Sequence, residues 1–432
     1  MLPFPFLQRI INNKEVKNAG WLIAGRIVQM VLSFLVSIFT ARYLGPKNYG
    51  LVNYGMAYVA FFMSLCTLGI NSVIIKELID HPDEQGHAIG TTLVLRGISS
   101  LFSSLMIIGI VSIFNSNEPV TITVTALCSF SLLFHIFDTL GFWFQAQYKS
   151  KNVAIATLIA YIGTSIYKII LLITKKDVTW FAFASSVDYI FLAFCLYCAY
   201  RQHAGPPLRF SWDKGRFLLR NSYHYILSGL MVSIYGQTDK IMLKQMLDES
   251  SVGYYSLAAT ISVMWVFVLQ AIIDSVYPTI MRLFKEGSTE SFERKNRQLY
   301  ALIIYLSIGV SIFFLFGGRF FIRLLYGAEF ELSAGPLRII TWYVIFSYLG
   351  VARNAWIVCK NQQKYLKYMY FCAAFMNVFM NLLFIPKWGA SGAALASLLT
   401  QILTSIGIPL FIREMRPNVR LMGEAFLLKG IK

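Results

Sequence analysis

Eight charged side chains fall inside stretches that are otherwise apolar. Arg26, Arg96, Lys168 and Asp188 lie in the first half of the chain, and Asp239, Lys240, Asp274 and Arg353 in the second. A ninth, Asp138, sits close to the end of such a stretch. In a membrane interior each costs a few kcal/mol or more unless it meets water or a partner. So many in one chain predict a hydrated interior. Their signs carry more than their number: five cations against three acids favour an anion, and the planar fork of Arg suits a pyrophosphate. Arg26, Arg96, Lys168, Lys240 and Arg353 are therefore candidate substrate-binding cations. Because three of them belong to the first half, the anionic head group is expected nearer that half. Asp188, Asp239 and Asp274 are candidates for a coupling cation, H⁺ or Na⁺. Simpler roles stand beside these: Asp239 and Lys240 at the interface, Lys168 snorkelling, and Asp274 paired with an Arg to hold helices together.

The elements that must position these residues are apolar runs long enough to cross a hydrocarbon core of about 30 Å at about 1.5 Å per residue. They cover approximately 19–41, 49–72, 89–114, 119–140, 153–174 and 178–200, then 222–243, 252–280, 299–318, 335–359, 365–384 and 388–411. The expected architecture is an all-α integral membrane protein of about twelve transmembrane helices in two six-helix lobes. Hydrophobic residues make up 57% of the 432 and charged residues only 14%, well short of a soluble domain. The formal charge of +17 does not call for nucleic acid, because its Lys and Arg gather in short loops and no soluble basic face exists. More than half of the 38 basic residues fall on the side of the N-terminus. Both termini are thus expected to be cytoplasmic. The first apolar run is full-length rather than a short signal-peptide core, so it is expected to remain as an anchor.

The longest predicted cytoplasmic connection, 201–221, holds Pro206, Pro207, Arg209, Lys214, Arg216 and Arg220. It divides the chain into an N-terminal lobe at 1–200 and a C-terminal lobe at 222–412, followed by a tail at 413–432. An internal echo fits two related halves. Leu44-Gly45-Pro46-Lys47-Asn48-Tyr49-Gly50 leads from the first run to the second, and Leu247-Asp248-Glu249-Ser250-Ser251-Val252-Gly253 occupies the equivalent place in the second half. Repeated halves are common in alternating-access transporters. Gly50 and Gly253 sit where a turning chain can need positive φ. Gly389 and Gly392 would let the last run approach another helix closely.

Other chemistry finds little support. Cys195 and Cys198 form a C-x-x-C on an apolar stretch without a second ligand pair, so packing explains them better than a metal. No P-loop is present, no cofactor is called for, and the outer loops leave little room for a catalytic domain. Aromatic residues could stack on sugars, although interfacial belts account for most of them. His135 and Asp138 share a helix face and read as a local polar contact.

Several segments resemble the Wzx-type polysaccharide flippases, a branch of the multidrug/oligosaccharidyl-lipid/polysaccharide (MOP) exporter superfamily. They are Ala41-Arg42-Tyr43-Leu44-Gly45-Pro46-Lys47-Asn48-Tyr49-Gly50, Trp143-Phe144-Gln145-Ala146-Gln147, and the stretch from Thr238-Asp239-Lys240 through Gly253-Tyr254-Tyr255-Ser256-Leu257-Ala258. Leu324-Leu325-Tyr326-Gly327-Ala328-Glu329-Phe330 and Ile385-Pro386-Lys387-Trp388-Gly389-Ala390-Ser391-Gly392-Ala393-Ala394 extend the likeness through nearly the whole chain. The resemblance implies a two-lobed, MATE-like bundle in the bacterial inner membrane. It implies transport of an undecaprenyl-pyrophosphate-linked oligosaccharide, for O-antigen or a related surface polymer, by alternating access. A polysaccharide polymerase is the implied partner, and membrane lipid the surroundings. The rivals are a cation-coupled multidrug antiporter, which would more naturally present an acidic cavity, and a membrane polymerase or ligase acting on the same lipid-linked sugars.

Overall fold

A computed structural model describes residues 14–430, with side chains from 29 onward except at 31, 72 and 228. The expected tail before residue 14 and the side chain of Arg26 lie outside the described residues. Among the described residues the secondary structure is helical throughout, with no strand. The helices are α1 (Lys14–Thr67), α2 (Asn71–Asp80), α3 (Gln85–Phe114), α4 (Pro119–Ser129), α5 (Ser131–His135), α6 (Asp138–Ala146), α7 (Ser150–Ile173) and α8 (Val178–Gln202). There follow α9 (Trp212–Met246), α10 (Glu249–Val263), α11 (Val266–Lys285), α12 (Thr289–Tyr326), α13 (Ala334–Cys359), α14 (Leu366–Ile402), α15 (Ile408–Phe411) and α16 (Arg416–Phe426).

Nine helical stretches among the described residues are long and apolar enough to cross a membrane. The chain is a multi-pass membrane protein. Two of these stretches each take in two of the predicted runs. In α1 the backbone leaves the helix at Gly45 (φ 65°), and in α14 at Gly389 (φ 55°), with Pro46 and Pro386 close by. Positive φ is costly for a residue with a Cβ, so glycine is the residue that allows each break. The turn-forming glycines are therefore Gly45 and Gly389 rather than Gly50 and Gly253. The α9 stretch is not among the nine, because Arg220, Asn221, His224, Gln237, Asp239 and Lys240 make it too polar.

The chain forms two compact units. One comprises Met1–Leu44 and Leu51–Ser233; the other comprises Gly45–Gly50 and Ile234–Lys432. The connection 201–221 packs on the first unit. Arg209 N–H donates to the Gly86 carbonyl at 3.1 Å, the Tyr200 hydroxyl donates to the Pro206 carbonyl at 2.5 Å, and the Lys214 ammonium contacts both Glu77 and Glu84. Gly86 and Gly90 are needed there, since a Cβ on either would meet the carbonyls of Pro207 and Arg209. The first unit's core gathers Ile70, Ile74, Leu78, Ile89, Leu140, Trp143, Phe144 and Tyr200. Gln85 locks this corner, accepting from Trp143 Nε1 at 2.9 Å and donating to the Leu78 carbonyl at 2.8 Å.

In the second unit the two glycines of the internal echo pack against each other's segments. A Cβ on Gly50 would lie 1.8 Å from the Glu249 carbonyl oxygen, and one on Gly253 would lie 2.1 Å from that of Pro46. Gly392 likewise fits beneath the Phe384 carbonyl of its own chain. The predicted tail contains α16, whose Leu421, Met422 and Ala425 join a core with Tyr300, Ile304 and Trp356. Asn418 donates to the Tyr300 hydroxyl at 2.7 Å, and Arg297 pairs with Glu424 at 2.8 Å.

Polarity is turned inside out relative to a soluble protein, as lipid demands. On α12, Phe313, Phe316 and Phe320 are exposed while Ser307 and Ser311 are fully buried. Small polar residues at helix contacts let backbones approach without a large side chain between them.

Candidate functional site

Arg96, on α3, is fully buried. It donates to Thr139 Oγ1 at 2.9 Å and lies 3.1 Å from His135 Nδ1. A guanidinium only donates, so Nδ1 accepts and the ring proton resides on Nε2. That nitrogen faces Asp138 Oδ2 at 3.1 Å. The helix is interrupted around Phe137, between α5 and α6, which brings His135, Asp138 and Thr139 together toward α3. The local contact read from the His135–Asp138 spacing thus extends to a three-residue chain, in which a neutral imidazole links a buried cation to a carboxylate. Asp138 lines a cavity of about 260 Å³ with Gln29, Gly141, Phe142, Gln145 and Thr157.

Lys168, on α7, has Asp188, on α8, as its charged neighbour. The carboxylate also accepts from Thr164 Oγ1 at 3.1 Å, one helical turn before Lys168. Lys168 and Asp188 are half-buried.

In the second unit Asp239 is only 2% exposed. Its Oδ1 accepts from the amides of Asn377 at 3.1 Å and Asn381 at 2.6 Å. Its Oδ2 takes the hydroxyls of Tyr255, at 2.5 Å, and Ser397. The side chains come from α9, α10 and both arms of α14, the latter brought together by the break at Gly389. Asn381 Oδ1 is buried and has no hydrogen-bond partner among the described residues. Two amide N–H groups and two hydroxyls converge on one buried carboxylate here, and the side chains that carry them also bear oxygens of the kind a hard cation prefers. Lys240, the next residue, is half-buried with Asp239 as its charged neighbour.

Arg353, on α13, is 3% exposed and donates to the carbonyls of Thr404 at 3.3 Å and Ser405 at 3.1 Å. Both lie in a π-helical turn, Leu403–Gly407, where the normal backbone ladder is broken. Asp274 is exposed on α11, accepting from Gln270 at 2.8 Å. The predicted site residues therefore fall into separate settings. Arg96 and Arg353 are held by protein groups, Lys168 has Asp188 as its charged neighbour, and Asp239 anchors a polar cluster.

Residues 16–284 match the model of the family described as polysaccharide biosynthesis protein. The chain belongs to that family. Among curated relatives of this polysaccharide biosynthesis protein is the capsular polysaccharide biosynthesis protein CapF of Staphylococcus aureus. It is 21% identical over 92% of this chain and 99% of its own length. Two solved structures share the fold with a TM-score of 0.69. Lipid II flippase MurJ in an inward closed conformation is 15% identical, covering 94% of this chain and 90% of that one. A multidrug resistance MATE family transporter of the MOP superfamily, in its inward-facing conformation, is 14% identical over 91% and 96%. The MATE-like fold expected from the sequence is thus the fold of this family member.

Sequence reasoning missed the uncharged members of these clusters. Asn377 and Asn381 lie one turn apart in an apolar run, a visible signal that a search restricted to ionisable residues passes over. Thr139, Tyr255 and Ser397 gave no such signal, because hydroxyls are common in membrane helices.

Proposed function

We propose that this protein is a flippase for lipid-linked saccharides. It carries an undecaprenyl-pyrophosphate-linked repeat unit from the cytoplasmic to the periplasmic leaflet of the bacterial inner membrane, for O-antigen or a related surface polymer. The observation that carries this reading is that a polysaccharide biosynthesis protein has the fold of MOP-superfamily transporters. Transport by alternating access needs two states whose balance the substrate shifts. In the first half, Arg26 and Lys168 are the cations assigned to the pyrophosphate, whereas Arg96 and Arg353 hold the interior together.

Energy enters through a cation bound at Asp239. The two hydroxyl oxygens on the carboxylate and the amide oxygens carried by Asn377 and Asn381 would give a metal ion such as Na⁺ several ligands, more than a proton needs. Binding would draw the Asn377 and Asn381 oxygens toward the ion and release the amide hydrogens now pointing at Asp239. A polymerase acting on the delivered unit is the expected partner.

The deciding experiment is the sidedness of lipid-linked repeat units in membranes of cells lacking the protein. Single units should accumulate on the cytoplasmic face and be cleared by the intact chain, but not by Asp239→Asn. Units already facing the periplasm would overturn the flippase reading and favour a polymerase or a drug exporter.

A further inference from the structure

The cavity of the first unit has a chemistry that the buried cations do not explain. It is about 260 Å³ and bounded by Gln29, Asp138, Phe142, Gln145 and Thr157. Asp138 uses Oδ2 on His135 and lines the cavity, so Oδ1 is the oxygen able to accept from a ligand. The Gln145 side-chain amide has no hydrogen-bond partner among the described residues. Thr157 donates to the Val153 carbonyl at 2.9 Å, so its oxygen remains able to accept. Polar groups within a helical bundle in lipid are costly without partners. Such a cavity holds water, or a ligand that replaces it.

Electrostatics narrows the ligand. Arg96 balances the Asp138 charge from behind through the neutral His135 ring, while the face toward the cavity is a carboxylate edge and amides. A pyrophosphate would meet carboxylate oxygens there and be repelled. A neutral polyol would find acceptors at Asp138 and Thr157, both donor and acceptor at Gln145, and an apolar ring face at Phe142. We infer that this cavity is a subsite for one sugar ring of the transported saccharide, with Asp138 and Gln145 reading its hydroxyls. The inference rests on the flippase reading and adds to it the separation of sugar from pyrophosphate within the first half.

The test uses the purified full chain with three probes: farnesyl pyrophosphate, the same lipid carrying N-acetylglucosamine on its pyrophosphate, and free N-acetylglucosamine. The intact protein should bind the sugar-bearing lipid more tightly than the bare one. Gln145→Leu removes an amide that makes no hydrogen bond among the described residues. It should weaken the sugar-bearing probe roughly threefold to tenfold, the worth of about one neutral hydrogen bond, and leave farnesyl pyrophosphate unchanged. Asp138→Asn should shift selectivity in the same direction. Equal weakening of both lipids, no change in either, or no preference for the sugar-bearing probe in the intact protein would each overturn the subsite. Competition by free sugar as strong as by the lipid-linked form would make it a site for soluble sugar and overturn the link to transport. Failure of the intact chain to bind either lipid would instead bring down the flippase reading itself.

Discussion

Replacing Asp239 by Asn tests the coupling reading directly, and the structure says which quantity to measure. The carboxylate receives four donors, two on each oxygen. Hydrogen bonds to a charged group are worth about 1.5–3 kcal/mol and neutral ones about 0.5–1.5. Asn keeps one oxygen for two of the donors, each weakened by about 1 kcal/mol, and its NH₂ replaces the other oxygen, where the Tyr255 and Ser397 hydroxyls must turn to accept, for a loss of about 4 in total. Against this, the buried charge carries a desolvation cost of several kcal/mol that the variant no longer bears. The two nearly cancel, so stability without the cation is expected to change little. The difference appears on adding the ion. A site filled at about 100 times its dissociation constant stabilises the fold by about 2.7 kcal/mol, and the Asn variant should gain almost none of it. The assay is thermal unfolding of the purified protein at fixed ionic strength, with Na⁺ replacing choline. The intact chain should melt several degrees higher in Na⁺, and Asp239→Asn at one temperature throughout. An equal rise in both, or none in the intact chain, would refute a metal cation at Asp239.

Arg353→Met should cost about 2–5 kcal/mol in a thermal melt, because it leaves the Thr404 and Ser405 carbonyls without their donor. Arg353→Lys should recover part of that loss. Gly253→Ala places a methyl 2.1 Å from the Pro46 carbonyl oxygen, and the backbone shift this forces should cost about 1–3 kcal/mol or more on the same measurement. Hydrogen bonding from Arg420, reinforced by Arg297, holds the Glu424 carboxyl below its usual range. A lowered folded value means that this support is present above the unfolded value and is lost as pH falls through the folded one. Glu424→Gln should therefore speed hydrogen exchange in α16 at neutral pH, with the difference from the intact chain beginning to shrink only below about pH 4 and closing once pH passes the lowered folded value. Lys214→Ala strips the Glu77 carboxylate, itself only 5% exposed, of its ammonium, and exchange across 206–216 should quicken.

How far the sequence could be read depended on what each residue had to contrast with. A charge in an apolar run stands out against its surroundings, so Asp239 and Arg96 were visible as buried groups. Their partners were not. Asn377 and Asn381 gain meaning only when the break at Gly389 folds α14 so that Ser397 joins them on Asp239. The direction of a charge was equally hidden. Arg96 reads as a cavity cation by depth, yet Thr139 and His135 enclose it and leave Asp138 at the cavity. The glycines show the same limit. Spacing marked Gly50 and Gly253 as equivalent, but only the packing distinguishes a close approach from the positive φ found at Gly45 and Gly389. The α16 helix went unread because eleven residues with Arg, Asn and Glu resemble a solvated tail until its apolar face meets Tyr300 and Trp356.

The seating of Gly45–Gly50 within the second unit sets an order of events during synthesis. That segment leaves the ribosome early, yet the carbonyl that Gly50 fits beneath belongs to Glu249, and Gly253 fits beneath Pro46. About 200 residues separate the two, roughly 10–40 s at about 5–20 residues per second. Throughout that interval the first hairpin is in the membrane without its mate, with the Gly50 face open to other helices. A stalled or truncated chain ending after the first unit would keep this gap permanently, and the cell's quality control would meet it there.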